Sequence, residues 1–309
     1  AFDAPTQGSG KTLLAQTVGA LAGGAKIMSP LPPRNEEEVA KTLLSVLIQS
    51  PRAVVFDNQI GVVDSASLAA VLTSPVFEGR VLGSTSTVSS PTNCLVMLTG
   101  NNITLGGDMP RRTVTVRIDA EMETPFARAF TFNPLEIVQA DRFGLTVAAL
   151  TLVRAAFGAS VAGRIGSFEA WDRMVAQTVR WLDDDRFADP LDLILEAHAS
   201  DPVRDETHDL LEGIKSIFGE TYFTARDLID KINSHAAGVG PMRDALNGMV
   251  TSLNSRSVGR ALKFRVGQRV KGLVLTCPQN AGTHGHTIRY RVISESGAGS
   301  GSVVTEFRK

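Results

Sequence analysis

Residues 3–12 read DAPTQGSGKT, and the reading of this stretch decides the fold. Glycines at 8 and 10 allow a backbone path that side chains would obstruct. Beyond Gly10-Lys11-Thr12, the segment 11–21 carries Leu13, Leu14, Val18 and Leu21 on one helical face. A strand, a glycine-rich turn and a helix in that order aim backbone N–H groups and a helix N-terminus at an anion. The spacing is that of a triphosphate-binding loop made by Gly8, Ser9, Gly10, Lys11 and Thr12. Lys11 would reach the β- and γ-phosphates, and the Thr12 hydroxyl would ligate Mg²⁺. One departure is plain: Pro5 stands where the pattern G-x-x-x-x-G-K-[ST] has its first glycine.

The partners such a loop needs follow in order. Residues 53–58, AVVFDN, form an apolar strand ending in Asp57. A carboxylate at the end of a buried parallel strand lies where ligands bind in open α/β sheets, and Asp57 is expected to hold the metal with Thr12. A second apolar strand, 94–99 (CLVMLT), leads into Gly100-Asn101-Asn102; an amide at 101 or 102 can orient an attacking water or touch the γ-phosphate, and the same residues are also good turn chemistry. In 108–119, DMPRRTVTVRID, Val114, Val116 and Ile118 alternate as a half-buried strand, with Arg111 and Arg112 just before it. Asn35 and Glu38 make a capping box ahead of Val39, Leu43, Val46 and Leu47, and Asp64 is expected to cap a helix over 65–72. Strands near 25–28, 53–57, 94–99 and 113–118, separated by helices, predict an α/β fold with a mostly parallel sheet and its site at the strand C-termini.

Taken together, the strings DAPTQGSGKT, VVFDN, LTSPVFEGRVLG, TGNN with GDMPRRTVTVRID, and GSFEAW at 166–171 resemble an AAA+ ATPase core. They are similar in particular to the replicative helicase modules of phages, plasmids and integrative elements (superfamily III and minichromosome-maintenance-like). The resemblance covers about 1–182. It implies ATP and Mg²⁺ as cofactors, a ring of subunits (a hexamer), Asn101 or Asn102 as sensor, and Arg111 or Arg112 acting on a neighbouring subunit's nucleotide. It also implies a hairpin that grips DNA, here within 78–93, with Val81 and Leu82 before a Gly-Ser-Thr-Ser turn and Arg80 as its nearby cation. Many relatives place glutamate after the strand-end aspartate; Asn58 stands there instead, and asparagine is a poor general base. Glu37 and Glu38 are the other carboxylates on offer.

A chain of 309 residues implies two or three units. It does not open on Met, and the strand before the loop is reduced to three residues, so it is expected to be a C-terminal piece of something longer. The resemblance implies a primase domain or protein upstream. No apolar run is long enough to span a membrane, and two cysteines, Cys94 in a strand expected to be buried and distant Cys277, fit a reducing cytoplasm. Zinc is not expected: His284 and His286 share a loop without further ligands.

The net charge of −1 hides a strong asymmetry. Residues 183–230 hold 14 acidic and 4 basic side chains, whereas 255–309 hold 10 basic and 2 acidic. The expected organisation is an AAA+ core over 1–124, a helical lid-like subdomain over 125–185, an acidic linker or solvated helix over 186–203, a winged-helix-like domain over 204–294, and a flexible tail over 295–309. Within the lid, 143–157 is apolar nearly all round and is expected to be buried; Ser167 is expected to cap a helix carrying Phe168, Trp171, Val175 and Leu182. Arg128 and Arg164 could be contributed from this segment. Helices near 206–218, 224–234, 241–253 and 257–262, then strands near 270–275 and 286–293, suggest the winged helix. Arg256, Arg260, Lys263, Arg265, Arg269 and Lys271 would then face DNA.

The sequence therefore points to an ATP-dependent DNA helicase or translocase. It leaves open an AAA+ DNA-binding switch that remodels nucleoprotein without unwinding, and a small-molecule phosphotransferase.

Overall fold

The computed structural model describes residues 1–32, 35–80, 87–159, 165–234, 239–278 and 288–294. The chain divides into two units, Ala1–Asp201 and Pro202–Lys309.

The first unit is a mixed α/β assembly around a parallel five-stranded sheet. Its strands are β1 (Phe2–Ala4), β2 (Ala25–Met28), β3 (Ala53–Gln59), β7 (Leu95–Asn101) and β9 (Val116–Arg117), in the order β2-β3-β7-β1-β9. All four pairings are parallel. Ala4, Asn101 and Arg117 at strand ends, and Asp57 two residues before the end of β3, therefore gather along one edge. The register between β3 and β7 breaks between Phe56 and Gln59. Asn58 takes a left-handed conformation there, φ 59°, so the chain turns just after Asp57. Two short strands, β4 (Val62–Val63) and β8 (Thr104–Leu105), pair in parallel as a separate two-stranded sheet. An antiparallel hairpin of β5 (Val76–Arg80) and β6 (Thr87–Pro91) lies between β3 and β7 in the chain. The tip expected to grip DNA, 81–86, and the Arg80 side chain lie outside the described residues.

Helix α1 (Lys11–Ala22) packs Ala15, Leu14 and Val18 against Phe2, Val55 and Met97. Leu13, expected on the same face, is exposed. On another side of the sheet α2 (Glu36–Leu47) buries Val39, Leu43, Val46 and Leu47 against Val54, Phe56 and Leu98, each large side chain contributing about 1.5–3 kcal/mol. Asn35 caps α2 through the Glu38 N–H. The cap of α3 (Ala66–Val71) is Ser65, not Asp64: the Ser65 hydroxyl accepts from Leu68 N–H, and Glu36 accepts from Ser65 and Ser67 at the same terminus. Asp64 instead lies over Gly107, where a side chain would meet its carboxylate.

Three expectations for the helical segment are corrected. Helix α5 (Arg142–Ala156), which follows α4 (Pro134–Ala140), is not buried: Phe143 is 81% exposed, and Val147, Leu150 and Leu152 are exposed as well. An all-round apolar pattern says that a helix lacks a water-seeking face, but not that the same chain supplies a cover. Arg142 anchors its start by donating to the Ala20 and Leu21 carbonyls at the end of α1. Next, Ser167 does not cap. The following helix comprises α6 (Glu169–Trp171), a π turn (Asp172–Ala176) and α7 (Gln177–Leu182), with Phe168 at its N-cap. The π turn directs the buried Asp172 toward Ile165 N–H, Gln177 and Arg180. Phe168 and Trp171 pack partly buried against Ile165, Ala176 and Ile194. Last, within the segment expected as a linker or solvated helix, α8 (Pro190–Ala199) buries Pro190 and Ile194, while Asp189 caps it and pairs with Arg180. Cys94 is half-buried ahead of β7 rather than inside it, and burial pushes its thiol pKa up.

The second unit sets helices against an antiparallel sheet. Its helices are α9 (Pro202–Phe218), α10 (Ala225–Asn233), α11 (Val239–Met249) and α12 (Ser255–Arg265). The expected two-stranded ribbon is wider: β10 (Phe223–Thr224), β11 (Arg269–Val270), β12 (Leu273–Thr276) and β13 (Arg289–Ser294) pair in the order β10-β13-β12-β11. Leu210, Leu211, Ile214, Phe223, Leu228, Met242, Leu262 and Tyr290 form one core. A capping box at Thr224 and Asp227 starts α10, and Tyr290 donates to the Gly259 carbonyl across the sheet-to-helix contact. The loop containing His284 and His286, and the tail 295–309, lie outside the described residues. No helix among those described is long and apolar enough to cross a membrane.

Candidate functional site

The loop between β1 and α1 is shaped by its own backbone. Gly8 and Gly10 adopt φ 75° and 92°, conformations in which a side chain would be strained. Gly10 caps α1 with no side-chain hydrogen bond, so the first-turn N–H groups keep their unpaired, partly positive character. Ser9 is buried and donates to the Thr6 carbonyl at 2.7 Å, which fixes the curl of the loop. The Lys11 amine donates to the same carbonyl at 3.3 Å. Burial lowers the Lys11 pKa, while the Asp3 and Asp57 carboxylates oppose that shift.

Asp57 joins this loop directly. The Thr12 hydroxyl donates to Asp57 Oδ1 at 2.8 Å, and the buried Thr99 hydroxyl donates to the same oxygen at 2.5 Å. Thr99 in turn accepts from Asn58 N–H at 2.9 Å. One side chain thus fixes both the carboxylate and the turn behind it. Thr12 and Asp57 present adjacent hard oxygen donors at the mouth of the loop, a set that fits Mg²⁺.

The two asparagines have different surroundings. Asn102 takes φ 51° and accepts from Arg117 at 3.1 Å; Arg117 is also ion-paired with the buried Asp3, which accepts from Ile103 N–H at 2.9 Å. Asn101 ends β7 opposite Ala4, and its amide has no hydrogen-bond partner among the described residues. Of the two, Asn101 is the amide free to meet a ligand.

The paired arginines also differ. Both bind Asp108. The Arg112 side chain is 10% exposed and lies over the Phe168 ring at 5.9 Å, whereas that of Arg111 is 48% exposed. The Arg111 hydrogen bond, reinforced by Arg112 and opposed by partial burial, holds the Asp108 pKa down from 3.8 to about 2. Arg128 is occupied by the Pro125 carbonyl and the Phe130 ring; Arg164 lies outside the described residues.

Glu37 and Glu38 both pair with Lys41 on an exposed face of α2. A hollow of about 160 Å³ between Leu31, Glu36, Val39, Ile60, Asp64 and Ser65 lies beyond β3. Glu36 and Asp64 line that hollow and, among the described residues, no lysine or arginine does, so it has the wrong sign for a triphosphate; burial and the neighbouring Asp201, Glu36 and Asp108 raise the Asp64 pKa.

In the second unit Arg256, Arg260 and Lys263 are exposed on α12. Arg265, expected with them, turns inward to the Thr207 hydroxyl at 3.3 Å and the Ala261 carbonyl, and burial lowers its pKa. It lies five residues beyond Arg260, about 140° around the helix. Lys271 pairs with Asp205 at 2.8 Å, and Arg269 is exposed on β11.

Sequence reasoning missed Asp3, Thr99 and Arg117. Asp3 and Arg117 were within strings already singled out, but only the β1–β9 register brings them together. Thr99 carried a weak signal as the last residue of the strand before Gly100.

No family model matches the chain, and no curated protein matches it. One solved structure that does is titled "The A form apo structure of NrS-1 C terminal region-CTR", at 13% identity and a TM-score of 0.36 over 95% of this chain. The chain spans 66% of that one. A likeness this slight carries no argument about fold or function.

Proposed function

We propose that the chain is an ATP-dependent DNA helicase or translocase module of a mobile-element replication protein, with an AAA+ P-loop core and a winged-helix-like second unit. The observation that carries it is the hydrogen bond between Thr12 and Asp57 at the mouth of the Gly8–Gly10 loop. Two oxygen donors 45 residues apart meet beside a lysine and a bare helix N-terminus, as metal-assisted triphosphate chemistry requires.

Mg²⁺, when bound, would neutralise charge on the β- and γ-phosphates. The loop N–H groups and Lys11 bind the phosphates, and the buried, partly desolvated amine regains a full counter-charge as they arrive. Thr12 and Asp57 orient the metal side; Asn101 orients the attacking water. Arg111, the more exposed of the pair, reaches the nucleotide of an adjoining copy, while Arg112 stays packed on Phe168. The exposed apolar surface of α5 supports self-association.

Lys11→Ala should abolish binding of a fluorescent ATP analogue, and intact binding would refute the loop assignment. Mixing Arg111→Ala subunits with Lys11→Ala subunits should restore part of the turnover. No rescue in demonstrably mixed rings would refute action in trans.

A second reading, a DNA-bound ATP switch that does not unwind, is favoured by Asn58, which offers no base, and by the engagement of Glu37 and Glu38 with Lys41. A forked duplex separates the two: hydrolysis without strand separation selects the switch.

A further inference from the structure

The outer face of α12 is unlike the other helix surfaces of its unit. Its inner face is fully packed by Val258, Ala261 and Leu262, and Gly259 lies close to Ala225 of α10. On the opposite arc, at helical spacing, stand Arg256, Arg260, Lys263 and Phe264. Phe264 is 76% exposed. The helix carries no carboxylate. A helix already anchored by three buried side chains gains nothing in stability from an aromatic ring in water; the ring is available for a partner.

Resting on the reading that the second unit binds nucleic acid, we propose that this face is a platform for single-stranded nucleic acid, with Phe264 stacking on an unpaired base. From Arg256 to Phe264 the helix rises about 12 Å, enough to lie along a short run of an extended strand's phosphates. Arg256, Arg260 and Lys263 neutralise those phosphates while the ring covers one base. A phenyl ring makes no hydrogen bond to a base edge, so it reads the presence of an open π-face and not its sequence. Inside a duplex both faces of every base are already covered, and insertion would require unstacking neighbouring pairs. An acidic peptide would satisfy the cations but gives the ring no flat partner.

The test uses the full chain, fluorescence anisotropy, a labelled oligo-dT and a blunt duplex of equal length, each over a salt series. Phe264→Ala should weaken oligo-dT binding about five- to hundred-fold, leave its salt slope unchanged, and leave duplex binding as before. Phe264→Trp should restore the single-strand affinity. Far-UV circular dichroism confirms the fold of both variants. Steeply salt-dependent binding that ignores Phe264→Ala, or an equal loss on both nucleic acids, overturns the platform alone. Salt-insensitive binding, or none, overturns the nucleic-acid reading along with it.

Discussion

Thr99→Val removes one hydroxyl and keeps the shape of the side chain. In the native structure that hydroxyl donates to Asp57 Oδ1 at 2.5 Å and accepts from Asn58 N–H at 2.9 Å, and Thr99 is buried. A hydrogen bond to a charged acceptor contributes about 1.5–3 kcal/mol, and an orphaned buried N–H costs about 1–3 kcal/mol. Asp57 is only half-buried and keeps the Thr12 bond, so water replaces part of the first loss. The net expectation is a destabilisation of about 2–4 kcal/mol. The assay is guanidinium unfolding followed by tryptophan fluorescence. Both tryptophans of the chain, Trp171 and Trp181, lie in Ala1–Asp201, so the signal reports on the unit that carries Thr99. Thr99→Ser is the control: it keeps both hydrogen bonds and loses one methyl, about 1 kcal/mol. Affinity for Mg²⁺-nucleotide should fall in the valine variant more than in the serine variant, because the carboxylate loses one of its two tethers. If valine costs no more than serine, the Thr99 hydroxyl does not hold this site together.

Asp108 should titrate near pH 2 by carboxyl NMR, and Arg111→Ala should move its midpoint back toward 3.8. Because the folded pKa lies below the ordinary value, the clasp contributes fully above about pH 4 and is lost as pH falls through about 2; an unshifted midpoint in the native protein would rule the clasp out. Gly19→Ala should cost about 1–3 kcal/mol in the same tryptophan assay, because the new methyl would lie 2.2 Å from the Ala25 Cβ and 3.4 Å from Met97; an unchanged midpoint would mean that α1 is not seated this closely. Arg260→Ala should lower the salt slope of DNA binding by about one without altering stability, while Arg265→Ala should speed amide exchange in α12 and leave the slope alone; the reverse pattern would overturn the inward placement of Arg265.

The sequence by itself determined the local devices. Gly8 and Gly10 ahead of Lys11-Thr12 specify a turn with free N–H groups, Asn35 specifies a helix start, and apolar runs at 53–56 and 95–98 specify buried strands. Each depends on backbone sterics or on periodicity over a few residues. The inward position of Arg265, grouped by its charge with the DNA-facing residues, could have been read from its place on the same arc as Val258 and Ala261. The tertiary structure decided which distant groups share a bond. Thr99 meets Asp57 because β7 pairs with β3, and Arg117 meets Asp3 and Asn102 because β9 pairs with β1. Register is set by the packing of the whole sheet, which no short window contains. The exposure of α5 was likewise undecidable from its pattern, because periodicity describes a helix surface and only the assembled chain shows what covers it.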